Sequence, residues 1–221
     1  MNLNLSKRII TSLILLLILF VSLFSNNFLW IYLLIVASVI SFYEFNNLIK
    51  KIYKKKKNKI YLFNLISFLY LSFFIFTAYD IHRTSILILL LIILICIFSD
   101  TGGYVVGKLI GGKKLTKISP NKTVSGSIGS FIFSLFPIFI FEIQNQIYFE
   151  LVDYNVLLLI LICLFLSLIC QLGDLFISFF KRKAKTKDTG TILPGHGGLL
   201  DRIDGFIFVL PTSFIFIELI Y

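Results

Sequence analysis

Apolar residues run along this chain in blocks rather than in stripes. Leu, Ile, Phe and Val dominate residues 9–25, 28–48, 60–79, 84–106, 124–143, 155–180 and 205–221, and short polar segments separate these runs. A run of about 18 or more apolar residues can cross a bilayer as one helix, and only helices or closed barrels satisfy the backbone there. The pattern predicts an all-α fold, a polytopic transmembrane helix bundle of about seven spans. With no Pro/Gly-rich linker and no internal repeat, residues 1–221 read as a single integral membrane domain. Residues 1–95 hold the N-terminal spans, and 96–221 form a second half in which polar chemistry gathers. Residues 9–25 follow Lys7 and Arg8 as a signal peptide would, but the run ends Ser22-Leu23-Phe24-Ser25-Asn26-Asn27 without a small-x-small cleavage site. The expectation is a retained first helix.

Composition removes the soluble alternatives. Apolar residues make up 58% of the chain and charged residues only 14%, against roughly 25% charged in soluble domains. The net charge of +10 would point to nucleic acid in a soluble protein. Its placement points elsewhere. If the N-terminus is cytoplasmic, the cytoplasmic segments hold Lys7 and Arg8, seven Lys from Lys50 to Lys59, five from Lys108 to Lys122, and six basic residues from Lys181 to Arg202. Only Arg83 of the 21 basic residues then lies outside, as the positive-inside bias requires. The segment with Glu142, Glu150 and Asp153 falls on the opposite face. The partners expected from charge are membrane lipids, not nucleic acid, and the Lys50–Lys59 run reads as a solvated topogenic loop beside anionic headgroups. Cys96, Cys163 and Cys170 lie inside apolar runs without metal or redox spacing and read as small hydrophobes.

Ionisable residues inside spans are costly and mark candidate sites. Glu44, Asp100 and Asp174 stand out. Ser167, Gln171, Asp174, Ser178 and Lys181 recur at helical spacing on an otherwise apolar helix, so they share one face. That face ends in Lys181-Arg182-Lys183 at the membrane surface. Then come Lys187-Asp188 and Leu193-Pro194-Gly195-His196-Gly197-Gly198, and Leu199-Leu200-Asp201-Arg202-Ile203-Asp204 opens the last span. A Gly-rich turn entering a helix offers free N–H groups to phosphate. Asp201 and Asp204 share a face of that helix start. With Asp174 they make a hard-oxygen set suited to a divalent metal such as magnesium, while Lys181, Arg182, Lys187 and Arg202 would neutralise phosphate charge. Asp100-Thr101-Gly102-Gly103 and the run from Lys113 to Thr123 supply further lysines, hydroxyls and glycines suited to polyphosphate. Glu44 lies near the end of the second span and reads as a snorkelling or pairing carboxylate with no catalytic role.

These residues resemble a known family. Ser178-Phe179-Phe180-Lys181-Arg182, then Lys187-Asp188-Thr189-Gly190, then Leu193-Pro194-Gly195-His196-Gly197-Gly198-Leu199-Leu200-Asp201-Arg202-Ile203-Asp204 is similar to the full signature of the phosphatidate cytidylyltransferases, or CDP-diacylglycerol synthases. Gln171-Leu172-Gly173-Asp174-Leu175, Ser99-Asp100-Thr101-Gly102 and Ile118-Ser119-Pro120-Asn121-Lys122-Thr123 resemble further family segments, so the similarity covers roughly residues 96–221. This chain reads Lys122-Thr123-Val124-Ser125-Gly126 where the family usually reads Lys-Thr-Trp-Glu-Gly. Members are commonly longer at the N-terminus, which implies a version with fewer N-terminal spans.

The resemblance implies magnesium-dependent transfer of CMP from CTP to phosphatidate, giving CDP-diacylglycerol and pyrophosphate in phospholipid biosynthesis. It also implies a homodimer. On this reading Asp174, Asp201 and Asp204 ligate or support the metal and, with Lys181, form the catalytic set. Arg182, Lys187 and Arg202 hold phosphates, and His196, Gly197 and Gly198 shape the CTP loop. Asp100, Ser119 and Lys122 line the same site from the other half. The active site should face the cytoplasm at the inner membrane, because CTP is water-soluble and phosphatidate cannot leave the bilayer. Two other readings place carboxylates in spans: a transferase acting on an isoprenoid lipid, and a proton or cation transporter. The transporter's site should lie near the midplane without a phosphate-type loop.

Overall fold

The computed structural model describes residues 3–140 and 156–220. The described residues are helical almost throughout. The labelled helices are α1 (Leu3–Phe24), α2 (Asn27–Ile52), α3 (Lys57–Thr84), α4 (Ile86–Ile110), α5 (Val124–Phe133), α6 (Val156–Lys183) and α7 (Leu200–Ile220). Four of them, α2, α3, α4 and α6, are long and apolar enough to cross a membrane. Ile10–Phe24 and Val124–Ile140 form shorter apolar helical stretches. The acidic segment with Glu142, Glu150 and Asp153, the close of the fifth apolar run at 141–143, residue 155 at the start of the sixth and Tyr221 at the end of the seventh lie outside the described residues.

Two helices overrun their apolar blocks into the polar segment between them. Thus α2 extends through Lys50 and Lys51, and α3 begins at Lys57. The fifth apolar run differs from a single rod: α5 stops at Phe133, residues 134–135 turn, and helix resumes over 136–140. Pro137 accounts for this. It lacks an N–H and disfavours helical backbone before it, so it is best tolerated in the first turn of a new helical piece, where it stands here.

The chain forms two compact units. The first comprises Met1–Ile86 and Phe179–Asp204. Asn26 caps α2 by accepting the Leu29 N–H at 3.0 Å. Trp30, 1% exposed, donates its indole N–H to Ala78 O at 3.1 Å and stacks on His82. These contacts join the start of α2 to the end of α3, so the two helices run antiparallel. Phe180 packs edge-on against Phe45 and Phe63, bringing the end of α6 onto this pair.

The second unit comprises Leu87–Ser178 and Gly205–Tyr221. Its α4 and α5 approach through small residues, the packing that lipid-embedded helices favour. A Cβ on Gly102 would lie 2.5 Å from Gly129 O, and one on Gly129 would lie 2.5 Å from Val106 Cβ. Buried Ser99 and Ser167 share a 2.9 Å hydroxyl bond between α4 and α6. The loop between α4 and α5 doubles back: Leu115 N donates to Lys122 O at 2.9 Å and Val124 N to Lys113 O at 3.0 Å. Ser125 donates to Gly111 O, and Thr123 caps α5 by accepting the Gly126 N–H at 3.1 Å.

Candidate active site

The polar stripe on α6 supplies both units with their polar anchors. In the second unit Ser167 meets Ser99, Gln171 accepts from the Ser127 hydroxyl at 2.6 Å, and Asp174 Oδ2 accepts from Lys122 Nζ at 2.6 Å. The doubled-back loop delivers that lysine. Asp100, Ser119, Asn121, Lys122, Gln171 and Asp174 line a cavity of about 330 Å³. The sequence placed Asp100, Ser119 and Lys122 around one site with Asp174, and within this unit the four do converge.

Asp100, Cys170 and Asp174 each offer a ligand atom within 4.8 Å of the others. Asp174 Oδ1 is buried with no hydrogen-bond partner. Two carboxylates from different helices, one with an unused buried oxygen, fit a hard divalent cation; the thiol is a softer donor that such a cation does not need. Cys170, like Cys96 and Cys163, is buried and free. Unlike a plain hydrophobe, it points its weak S–H donor toward Asp100 Oδ1 at 3.9 Å. Gly205 makes room here, since a Cβ on it would sit 2.5 Å from Cys170 Sγ and 3.1 Å from Asp174 Oδ1.

The first unit holds the signature segment. Helix α6 ends in a Schellman-type cap, with Thr186 N bonding Lys181 O at 3.0 Å and Lys185 N bonding Arg182 O at 3.0 Å. Lys185 takes the left-handed position usually given to glycine, at φ 55°. Lys181 Nζ donates to Asp201 Oδ1 at 2.7 Å. Asp201 Oδ2 accepts from Thr189 N (2.8 Å) and Gly198 N (3.1 Å), and lies 3.0 Å from the Thr189 hydroxyl, whose single proton it shares with Glu44 Oε2. The turn closes on itself through Leu193 N to Gly197 O at 2.9 Å. Gly197 sits at φ 86°, with its Cα beside Asp188 and Asp201, where a side chain would be both strained and crowded.

His196 is held by its ring. Its Nδ1 lies 2.6 Å from Thr11 Oγ1 and its Nε2 lies 3.2 Å from Ser12 Oγ, both on α1. Arg202 Nη2 donates to His196 O at 2.9 Å. Arg182 and Lys187 are exposed. Asp204 is half-buried and engaged in interactions of its own.

The metal set expected from sequence draws on residues of both units. Asp174 lies with Asp100 in the second, while Asp201 and Asp204 belong to the first. Sequence singled out Glu44 as a snorkelling or pairing carboxylate but did not identify its partners. Far from snorkelling, it is 1% exposed and accepts from Thr189 Oγ1 at 2.7 Å, Leu199 N at 3.0 Å and Leu200 N at 2.9 Å. The one signal available was a carboxylate among Phe, Tyr and Ile within an apolar run, where an ionisable group needs a partner.

Together these elements define an all-helical membrane protein whose buried polar residues gather around a Gly-rich turn and a carboxylate-lined cavity. The chain belongs to the cytidylyltransferase family, whose model matches residues 52–220. Among its relatives is the phosphatidate cytidylyltransferase of Staphylococcus saprophyticus subsp. saprophyticus, 43% identical over 152 residues, which are 67% of this chain and 56% of the relative. The phosphatidate cytidylyltransferase of Staphylococcus aureus (strain COL) is 44% identical over 151 residues, with the same coverage of both chains. The chain thus spans 56% of the length of these relatives.

Proposed function

We propose that this protein is a phosphatidate cytidylyltransferase, transferring CMP from CTP to phosphatidate at the cytoplasmic face of the cell membrane. The observation that carries the reading is the cavity in which Asp100, Asp174, Ser119 and Lys122 converge, in a chain of the cytidylyltransferase family. A phosphate oxygen of phosphatidate attacks the α-phosphorus of CTP. The new P–O bond forms as the bond to the β-phosphate breaks, and pyrophosphate leaves. The lipid phosphate is already an anionic nucleophile, so the protein's task is to position the reactants and offset charge.

Lys122 meets phosphate oxygens in the cavity, and Ser119 offers a hydroxyl donor. In the signature segment Lys181, Arg182, Lys187 and Arg202 attract the polyphosphate, while the turn with His196, Gly197 and Gly198 shapes the nucleotide loop. Asp174 and Asp100 would hold magnesium, which when bound offsets oxyanion charge at the reacting phosphates. Asp201, with Oδ1 on Lys181 and Oδ2 on the signature turn, and Asp204 stand as supporting carboxylates. The basic segments support the cytoplasmic orientation. The homodimer implied by the resemblance is tested by cross-linking in membranes.

The deciding assay offers radiolabelled CTP and phosphatidate in liposomes, with and without magnesium, to the wild type and to Asp174→Asn. The expected result is magnesium-dependent CDP-diacylglycerol from wild type, and turnover at least about 100-fold lower in the variant, whose amide keeps the shape but is a poor metal ligand. No transfer to phosphatidate by folded wild type overturns the reading, and isoprenoid acceptors are then offered to the same protein.

A further inference from the structure

We infer that Glu44, a residue of α2 outside the 52–220 family match, is a positioning residue that anchors the signature turn and, through Thr189, sets Asp201 in place. The inference rests on the transferase reading for its kinetic consequence, but its geometry stands alone.

A carboxylate buried this deeply in an apolar helix is costly unless donors surround it. The two ion pairs among the described residues involve Asp174 and Asp201, not Glu44. Glu44 is instead held by neutral donors. Leu199 and Leu200 give it N–H groups at the start of α7, where the first amides have no partner within the helix and the helix dipole favours negative charge. Its third donor is the Thr189 hydroxyl. Thr189 also faces Asp201 through its N–H and its Oγ1, so one side chain touches both carboxylates. The glycines nearby are shaped to the same group. A Cβ on Gly190 would lie 2.5 Å from Glu44 Oε1, and one on Gly198 would run into Thr189 Oγ1 and Glu44 Oε2. Two of the signature's glycines thus leave room for a residue the signature does not contain.

A merely structural role would lower stability without altering catalysis selectively, so the test separates the two. Wild type, Glu44→Gln, Glu44→Ala, Thr189→Val and the nearby buried control Ile49→Val are compared as full-length protein in liposomes. Amide exchange at Leu199 and Leu200 is measured beside kcat and KM for CMP transfer from CTP to phosphatidate. In Glu44→Gln the amide group turns one acceptor into a donor. Exchange at one or both amides should rise about tenfold, the equivalent of one lost hydrogen bond. The kcat should fall about tenfold, with KM for CTP within about threefold, as for a group acting on placement rather than on ground-state binding. Glu44→Ala should be worse. Thr189→Val should lower kcat with the two amides still protected, and it keeps the test open if Glu44→Ala does not fold.

Folded Glu44→Gln with wild-type kcat overturns the inference, as does an Ile49→Val protein with the same exchange and the same kcat loss. If wild type makes no CDP-diacylglycerol while Glu44→Gln still frees the two amides, the transferase reading has failed and the anchor stands. If wild type is active and Glu44→Gln leaves both amides protected, the anchor has failed and the transferase reading stands.

Discussion

Asp174 and Asp201 are both paired with a lysine, at 2.6 Å and 2.7 Å, yet their surroundings are opposite in kind. Asp174 keeps a buried oxygen without a partner and borders an open cavity. Asp201 spends both oxygens: one on Lys181, the other on donors from the signature turn. A carboxylate with unused capacity beside a cavity is available to a ligand. One that is saturated by backbone and side-chain donors holds a loop in shape. The two aspartates look alike in sequence, each close to lysines and glycines, but the first has a buried oxygen without a partner and the second has none.

The sharpest way to break this comparison is to make the same change at both positions and read stability as well as turnover. Asp174→Asn should lose at least about 100-fold in turnover while its melting temperature barely moves, because a partly exposed ion pair is worth only about 0–1 kcal/mol and the orphaned oxygen has nothing to lose. Asp201→Asn should behave differently. Its amide must turn an NH₂ either toward Lys181 or toward the donors of the turn, so about 1–3 kcal/mol of stability should go with the activity. Thermal unfolding in detergent checks both. Equal stability losses would erase the distinction.

A smaller effect is expected from Lys122→Ala, which removes the cation beside Asp174 without touching the signature turn. Turnover should fall about tenfold, less than the roughly 100-fold or more lost with a donor aimed at the reacting oxygen, because Lys122 is already paired with Asp174. Amide exchange across residues 187–200 should not change. A change there would mean that Lys122 supports the turn as well as pairing with Asp174.

What could be read from sequence follows from how local each feature is. The apolar blocks were legible because a span is a contiguous run, and the α6 stripe was legible because helical spacing puts Ser167, Gln171, Asp174 and Lys181 on one face. Convergence of Asp100 with Asp174 was only an expectation, because it depends on α4 and α6 packing together. The break at residues 134–135 was missed, since hydropathy averages over a Pro137 that local backbone sterics do not ignore. The partners of Glu44 were missed for a plainer reason. They lie 145 to 156 residues further along the chain, and no periodicity relates them to it.

The smallest effect concerns α1. Thr11 and Ser12 meet both ring nitrogens of His196, and Thr11 Oγ1 also lies 3.4 Å from Pro194 O. If the turn were fully set by Glu44 and Asp201, these hydroxyls would be dispensable. If α1 helps to shape the nucleotide loop, removing them should be felt in substrate binding. Exposed neutral hydrogen bonds contribute about 0.5–1.5 kcal/mol each, and part of that is recovered by water once they are cut. The double variant Thr11→Val, Ser12→Ala should therefore raise KM for CTP by about two- to tenfold at nearly constant kcat, the split expected when uniform binding is lost. It should leave exchange at Leu199 and Leu200 as in wild type. A fall in kcat instead would place α1 with Glu44 among the elements that set the reacting geometry. An unchanged KM would mean that the first helix touches the turn without tuning it.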